Sequence, residues 1–158
     1  MYRIDALLKL DRKTFHTQDL ALLWGISNKN TLYTTIKRYI KKGVLIPIHK
    51  GFYSTVPLDR LDVFTLGIGY LHRFAYVSLE TILAKDGYIS QTVYPVTLVS
   101  DVSKKFRLNN QDYIVRKLSD RLLYSSAGLS NVNGVLIANT KRALSDMRYL
   151  KPEFHFDR

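Results

Sequence analysis

Apolar residues recur at helical spacing over the first forty positions and at alternate positions further on. Ile4, Leu7, Leu8 and Leu10 predict a short first helix, broken at Thr14-Phe15-His16-Thr17. Thr17 is a good N-cap for a second helix, Gln18 to Trp24, with Asp19 favourable in its first turn. Gly25-Ile26-Ser27 then reads as a tight turn, with Gly25 supplying a left-handed conformation. Ser27 or Asn28 caps a third helix running to Lys42, in which Leu32, Ile36 and Tyr39 share one side and face a core. Helix, glycine turn, helix is the helix-turn-helix arrangement.

After Gly43 the period changes. Leu45 to Thr55 reads as two short strands around His49-Lys50-Gly51, with Gly51 at a position needing positive φ and Pro47 on an edge strand or at a bulge. Val56-Pro57-Leu58-Asp59-Arg60 marks a domain boundary. Beyond it, Leu61 to Tyr70 predicts a helix, and Ser78 caps another over Leu79 to Lys85, ended by Gly87. Val93, Val96, Leu98, Val99 and Val102 predict a strand, and 105–108 with 113–116 a hairpin turning at Asn109-Asn110-Gln111. Leu122-Leu123-Tyr124 would extend the sheet. Asn131 to Gly134 is a turn leading into Val135 to Ala138, and Thr140 caps a last helix from Lys141 to Leu150. The expectation is an α+β protein: an N-terminal winged helix-turn-helix over residues 1–57, followed by a small mixed α/β domain with an antiparallel sheet over residues 58–158.

Charge sharpens this picture. The 158 residues carry a formal net charge of +11. Residues 1–60 hold 11 Lys/Arg against 4 Asp/Glu, a net of +7, and the remaining 98 hold 13 against 9, a net of +4. Between Asp19 and Asp59 there is no acidic residue at all. A basic domain calls for an anionic partner: nucleic acid, an anionic membrane or an acidic protein. The absence of cysteine excludes disulfides and thiolate metal sites. No apolar run approaches the roughly 20 residues that span a bilayer, and the N-terminus lacks a signal-peptide core, so a cytoplasmic protein without membrane contact is expected.

The third helix lies in the acid-free window. At about 100° per residue, Asn30, Tyr33, Thr34, Lys37 and Lys41 fall within about 100° of arc, opposite the apolar side. Short polar side chains lead, at the helix end that meets base edges in helix-turn-helix proteins, and lysines follow where phosphates would be reached. Such a stripe is most often a solvated face. The glycine turn before it and the hairpin after it favour DNA. The candidate DNA-binding residues are therefore Lys29, Asn30, Thr31, Tyr33 and Thr34, with Lys37, Arg38, Lys41, Lys42 and Lys50 toward phosphates.

Catalytic patterns are missing. His16, His49, His72 and His155 show no metal-ligand spacing. Ser78, Ser100 and Ser126 lack a nucleophile-elbow setting. Gly67-Ile68-Gly69 is half of a dinucleotide fingerprint without its third glycine, and no phosphate-binding loop occurs. Glu80 and Asp86 fit helix capping or solvation better than an acid/base pair. No enzyme, metal or cofactor is implied.

Several segments resemble one family. The Gly-Ile-Ser turn and the Lys-Gly-Phe-Tyr hairpin are similar to the N-terminal winged helix of the AbiEi antitoxins, regulators of abortive-infection toxin–antitoxin systems. Tyr76-Val77-Ser78-Leu79-Glu80-Thr81-Ile82-Leu83, Thr97-Leu98-Val99-Ser100 followed by Phe106, and Ala138 to Met147 resemble three later segments of that family, in order. Thr140-Lys141 stands where the family has Pro-Glu, and the chain ends soon after the last segment. The resemblance implies an autoregulating repressor that binds an inverted-repeat operator in double-stranded DNA. It also implies a C-terminal part that counteracts a nucleotidyltransferase toxin without a stable complex. A homodimer or two monomers side by side would suit an inverted repeat equally. Two other readings stay open: a protein-interaction module, and RNA binding with bases stacked on Tyr33, Phe52 or Tyr53.

Overall fold

In the computed structural model, which describes residues 3–90 and 95–155, the chain forms two compact units, Met1–Asp62 and Val63–Arg158. The protein is α+β, and its described residues form seven α-helices and two sheets.

In the first unit, α1 (Arg3–Lys9), α2 (Thr17–Trp24) and α3 (Lys29–Lys41) bury Leu7, Leu20, Leu32, Ile36 and Tyr39 in one core with Phe15, Ile26 and Leu45. Gly25 ends α2 in the left-handed region, φ 65°, where its N–H reaches back to carbonyls of the last turn. Asn28 caps α3, its Oδ1 accepting from the Thr31 N–H at 3.1 Å. A cap of this kind stabilises a helix by about 1 kcal/mol. The predicted start of α2 is corrected: its N-cap is His16, whose N–H donates to Asp19 Oδ2 at 2.8 Å, and Thr17 is already helical.

The segment read as a break, Thr14–His16, is strand β1. It pairs antiparallel with β3 (Phe52–Ser54), which also pairs with β2 (Ile46–His49), giving the order β1-β3-β2. Three residues are too few to show a period of two, and the strand exists because β3 offers a free edge. Pro47 lies in the edge strand β2, just before a register shift, where its missing N–H costs no ladder bond. Thr17 ties α2 to the hairpin tip by donating its N–H to the Gly51 carbonyl at 3.0 Å, and Gly51 has φ 74°.

The second unit runs α4 (Val63–Leu71), β4 (Ala75–Val77), α5 (Glu80–Lys85), β5 (Val96–Ser100), β6 (Lys104–Leu108), β7 (Gln111–Lys117), α6 (Asp120–Leu123), β8 (Leu129–Val132), β9 (Val135–Ala138) and α7 (Thr140–Leu150). Its six strands are ordered β6-β7-β5-β4-β9-β8. The expected antiparallel sheet is mixed: both edges and β4–β5 are antiparallel, while β5–β7 and β4–β9 run parallel. Two tight hairpins turn through Asn109-Asn110 and Asn133-Gly134, all at positive φ, the pair geometry that matches strand twist.

Further corrections concern boundaries. Leu122-Leu123-Tyr124 does not extend the sheet, because 120–123 form the short helix α6. Ser78 does not cap α5; Leu79 intervenes at φ 65°, and the Ser78 hydroxyl turns instead to Asp146. The cap of α7 is Asn139, which accepts from the Arg142 N–H at 2.8 Å, while Thr140 donates its hydroxyl to Asp86. Val93 lies outside the described residues, and Val102 falls beyond the end of β5.

Candidate nucleic-acid interface

A groove of about 780 Å³ opens between α3 and the β2–β3 hairpin. From α3 it is lined by Asn30, Tyr33, Thr34, Ile36, Lys37 and Ile40, and from the hairpin by residues 47–51 and Tyr53. The register explains the geometry. Leu32, Thr35, Ile36 and Tyr39 are buried, which rolls the opposite side of α3 outward toward the hairpin. Tyr33 is 49% exposed, and Asn30, Thr34 and Lys37 are exposed beside it.

Five of the ten predicted residues, Asn30, Tyr33, Thr34, Lys37 and Lys50, line this groove; Lys29, Thr31, Arg38, Lys41 and Lys42 do not. All ten are exposed. Helical phase accounts for much of the split: at about 100° per residue, Thr31, Arg38 and Lys42 form a second row turned away from the first. Arg38 lies over the Tyr39 ring, 5.7 Å from its centroid. Thr31 lies in the first turn, its N–H donating to the Asn28 cap and its carbonyl accepting from Thr35 Oγ1 at 2.7 Å, while its side chain is exposed. Lys41 lies one turn past Lys37 and Lys29 starts the helix.

Ile48 and His49 on the hairpin wall were not among the expected residues. Alternation along β2 would put Ile48 and His49 on opposite faces, and the register shift between Pro47 and His49 breaks that alternation. Phe52, a stacking candidate, is fully buried with its ring 4.6 Å from that of His16, so it packs rather than meets a ligand.

The second unit has a buried polar cluster. Tyr76 and Ser78 both donate to Asp146 Oδ2, at 2.9 and 2.8 Å. Arg142, 8% exposed, donates Nε to Asp146 Oδ1 at 3.3 Å and Nη1 to the carbonyls of Ser125 and Ala127 at 2.8 and 2.7 Å. Its Nη2 donates to the Tyr76 hydroxyl and the Leu122 carbonyl, at 3.0 and 2.9 Å. Burial lifts the Asp146 carboxyl above the usual range against the pull of Ser78, Tyr76 and Arg142, and burial with the Asp146 charge lifts the Tyr76 phenol. A cavity of about 430 Å³ borders this cluster. Arg142 lines it, yet its guanidinium is committed to carbonyls and the cluster, so it acts as a clamp on residues 122–127.

Among the described residues no group of three or more His, Asp or Glu is gathered to hold a metal ion. No helix among them is long and apolar enough to cross a membrane. No protein-family model matches the chain, and no curated protein matches its sequence.

Proposed function

We propose that residues 1–62 form a winged helix-turn-helix that binds duplex DNA sequence-specifically, with α3 in the major groove and the β2–β3 hairpin as the wing. The observation that carries this reading is the groove in which the exposed side of α3 and the hairpin converge. There Asn30, Tyr33 and Thr34 stand beside Lys37 and Lys50, within a span holding no acidic residue from 20 to 58. Asn30 is suited to an adenine edge, and the methyl of Thr34 to a thymine methyl. Lys37, Arg38, Lys41, Lys42 and Lys50 neutralise phosphates on either side. Five such contacts imply a slope of about −4.5 in log K against log salt. Selection from a random duplex pool, followed by binding to the selected site across a salt series, tests this reading; no enrichment and no salt dependence would refute it.

We further propose that the chain is an autoregulating repressor and the antitoxin of a nucleotidyltransferase toxin. Support comes from the AbiEi-like segments. Tyr76 and Ser78 of one and Arg142 and Asp146 of another meet in the buried cluster, and Thr97 of the third donates to the Ser78 carbonyl. Co-expression with the nucleotidyltransferase of a neighbouring reading frame tests this role: rescue of growth is expected, and undiminished toxicity would contradict it.

A further inference from the structure

The charge of the second unit is concentrated in one hairpin. Residues 63–158 carry 13 basic and 8 acidic residues, a net of +5, and 104–117 alone carry five basic and one acidic, a net of +4. The register fixes how these charges are displayed. Opposite Phe106 lies Tyr113, and opposite Lys104 lies Val115; Tyr113, Val115 and Leu108 are buried on that side, where Phe106 stacks on Tyr113. Lys105, Arg107, Asp112, Ile114 and Arg116 therefore share the other side. There Lys105 and Arg107 are exposed, and Arg116 is half-buried. Asp112 is paired with Arg107 at 2.9 Å. Lys105, Arg116 and Lys117 have no acidic partner among the described residues.

Lysines on an edge strand commonly guard it against pairing with another chain. That accounts for lysines on β6, which is the edge, and a lysine such as Lys105 that guards an edge can also meet a phosphate. It does not account for Arg116, because β7 is an interior strand between β6 and β5, and Lys117 alternates onto the Tyr113 and Val115 side. The face also lacks what a protein partner needs at the centre of an interface, an exposed aromatic or aliphatic anchor; its one apolar residue, Ile114, is half-buried. Contact with phosphates needs no such anchor.

We propose that the β6–β7 hairpin is a second duplex-DNA contact, engaging the phosphate backbone through Lys105 and Arg116 without reading sequence. This rests on the reading that residues 1–62 bind duplex DNA. Two added phosphates steepen the salt slope from about −4.5 to about −6.

The test measures binding of the full chain to its selected duplex, to a scrambled one and to a single-stranded RNA of the same length, across a salt series. Lys105→Gln/Arg116→Gln should flatten the slope by about 1.8 and weaken both duplexes alike. Because Arg116 is half-buried, Lys105→Glu alone serves as a second variant, with circular dichroism confirming that each is folded. Wild-type slope and affinity in both folded variants would overturn the proposal, as would losses confined to single-stranded RNA. If those variants behave as wild type while Lys37→Gln/Lys41→Gln flattens the slope, the hairpin contact falls and the α3 reading stands. If the wild-type chain shows no salt-dependent duplex binding, both fall.

Discussion

The Ser78 hydroxyl donates to Asp146 Oδ2 at 2.8 Å, joining the segment before α5 to the middle of α7 across 68 residues of sequence. Tyr76 donates to the same oxygen and Arg142 to the other, so the carboxylate is surrounded by donors in a buried setting. Removing a donor and removing the acceptor should differ in cost. Ser78→Ala is expected to lose about 1–3 kcal/mol. Asp146→Ala strands the Arg142 charge and is expected to lose roughly 3–5 kcal/mol. Urea unfolding of both variants checks this, and equal losses would show that Arg142 is held without the Asp146 carboxylate, by the carbonyls and the Tyr76 hydroxyl.

Gly67 sits in α4 where an added Cβ would come within 2.3 Å of the Tyr113 ring. That ring is buried, and its hydroxyl donates to the Val63 carbonyl at 2.7 Å, so it has little room to retreat. Gly67→Ala should therefore destabilise the protein by about 1–3 kcal/mol despite alanine's better helix propensity. Thermal unfolding would read this directly, and a stabilised Gly67→Ala variant would refute the close approach.

Arg73 grips Asp101 with two hydrogen bonds, of 2.6 and 3.2 Å, and holds its carboxyl below the usual carboxylate range. A carboxyl depressed in the folded state contributes stability above its unfolded pKa, near 3.9, and loses it as pH falls through the folded value. Asp101→Asn should accordingly show a shallower loss of stability on the acid side of about pH 4 than the parent, with the two curves parallel at neutral pH. Identical acid limbs in denaturant titrations at a series of pH values would contradict the pairing.

Much of the first unit was legible because its signals are local. Gly25, the Asn28 cap and the 3.6-residue spacing of Leu32, Ile36 and Tyr39 each act within one or two turns. Strand β1 was not legible, since three residues show no period and only pairing with β3 defines them. The caps of α2, α5 and α7 were misassigned for a common reason: Thr17, Ser78 and Thr140 are all good cap residues, but each hydroxyl has a partner far away in sequence, on Gly51, Asp146 and Asp86. The parallel pairings of β5 with β7 and β4 with β9 are likewise long-range. Half of the groove lies on α3, and helical phase points to four of its six residues there, Asn30, Tyr33, Thr34 and Lys37; Ile36, assigned to the core, and Ile40 line it as well. The groove that α3 shares with Ile48 and His49 required the hairpin's position.

Asn30 and Lys37 line the same groove but should fail in different ways. Asn30→Ala should relax base preference at one position, costing about 1–3 kcal/mol against the best site and little against a scrambled duplex. Lys37→Ala should weaken all duplexes alike. Competition binding with single-base variants of the selected site separates the two, and equal loss of discrimination in both variants would contradict the assigned roles.

On the proposed reading, α3 and its hairpin engage DNA phosphates through a surface drawn from the acid-free span. The most direct measurement is the salt dependence of duplex binding by the full chain, wild type against Lys37→Ala/Lys41→Ala. A wild-type slope of about −4.5 or steeper in log K against log salt is expected, flattened by about 1.8 in the double variant. A wild-type slope near zero, or one that the double variant leaves unchanged, would contradict that reading.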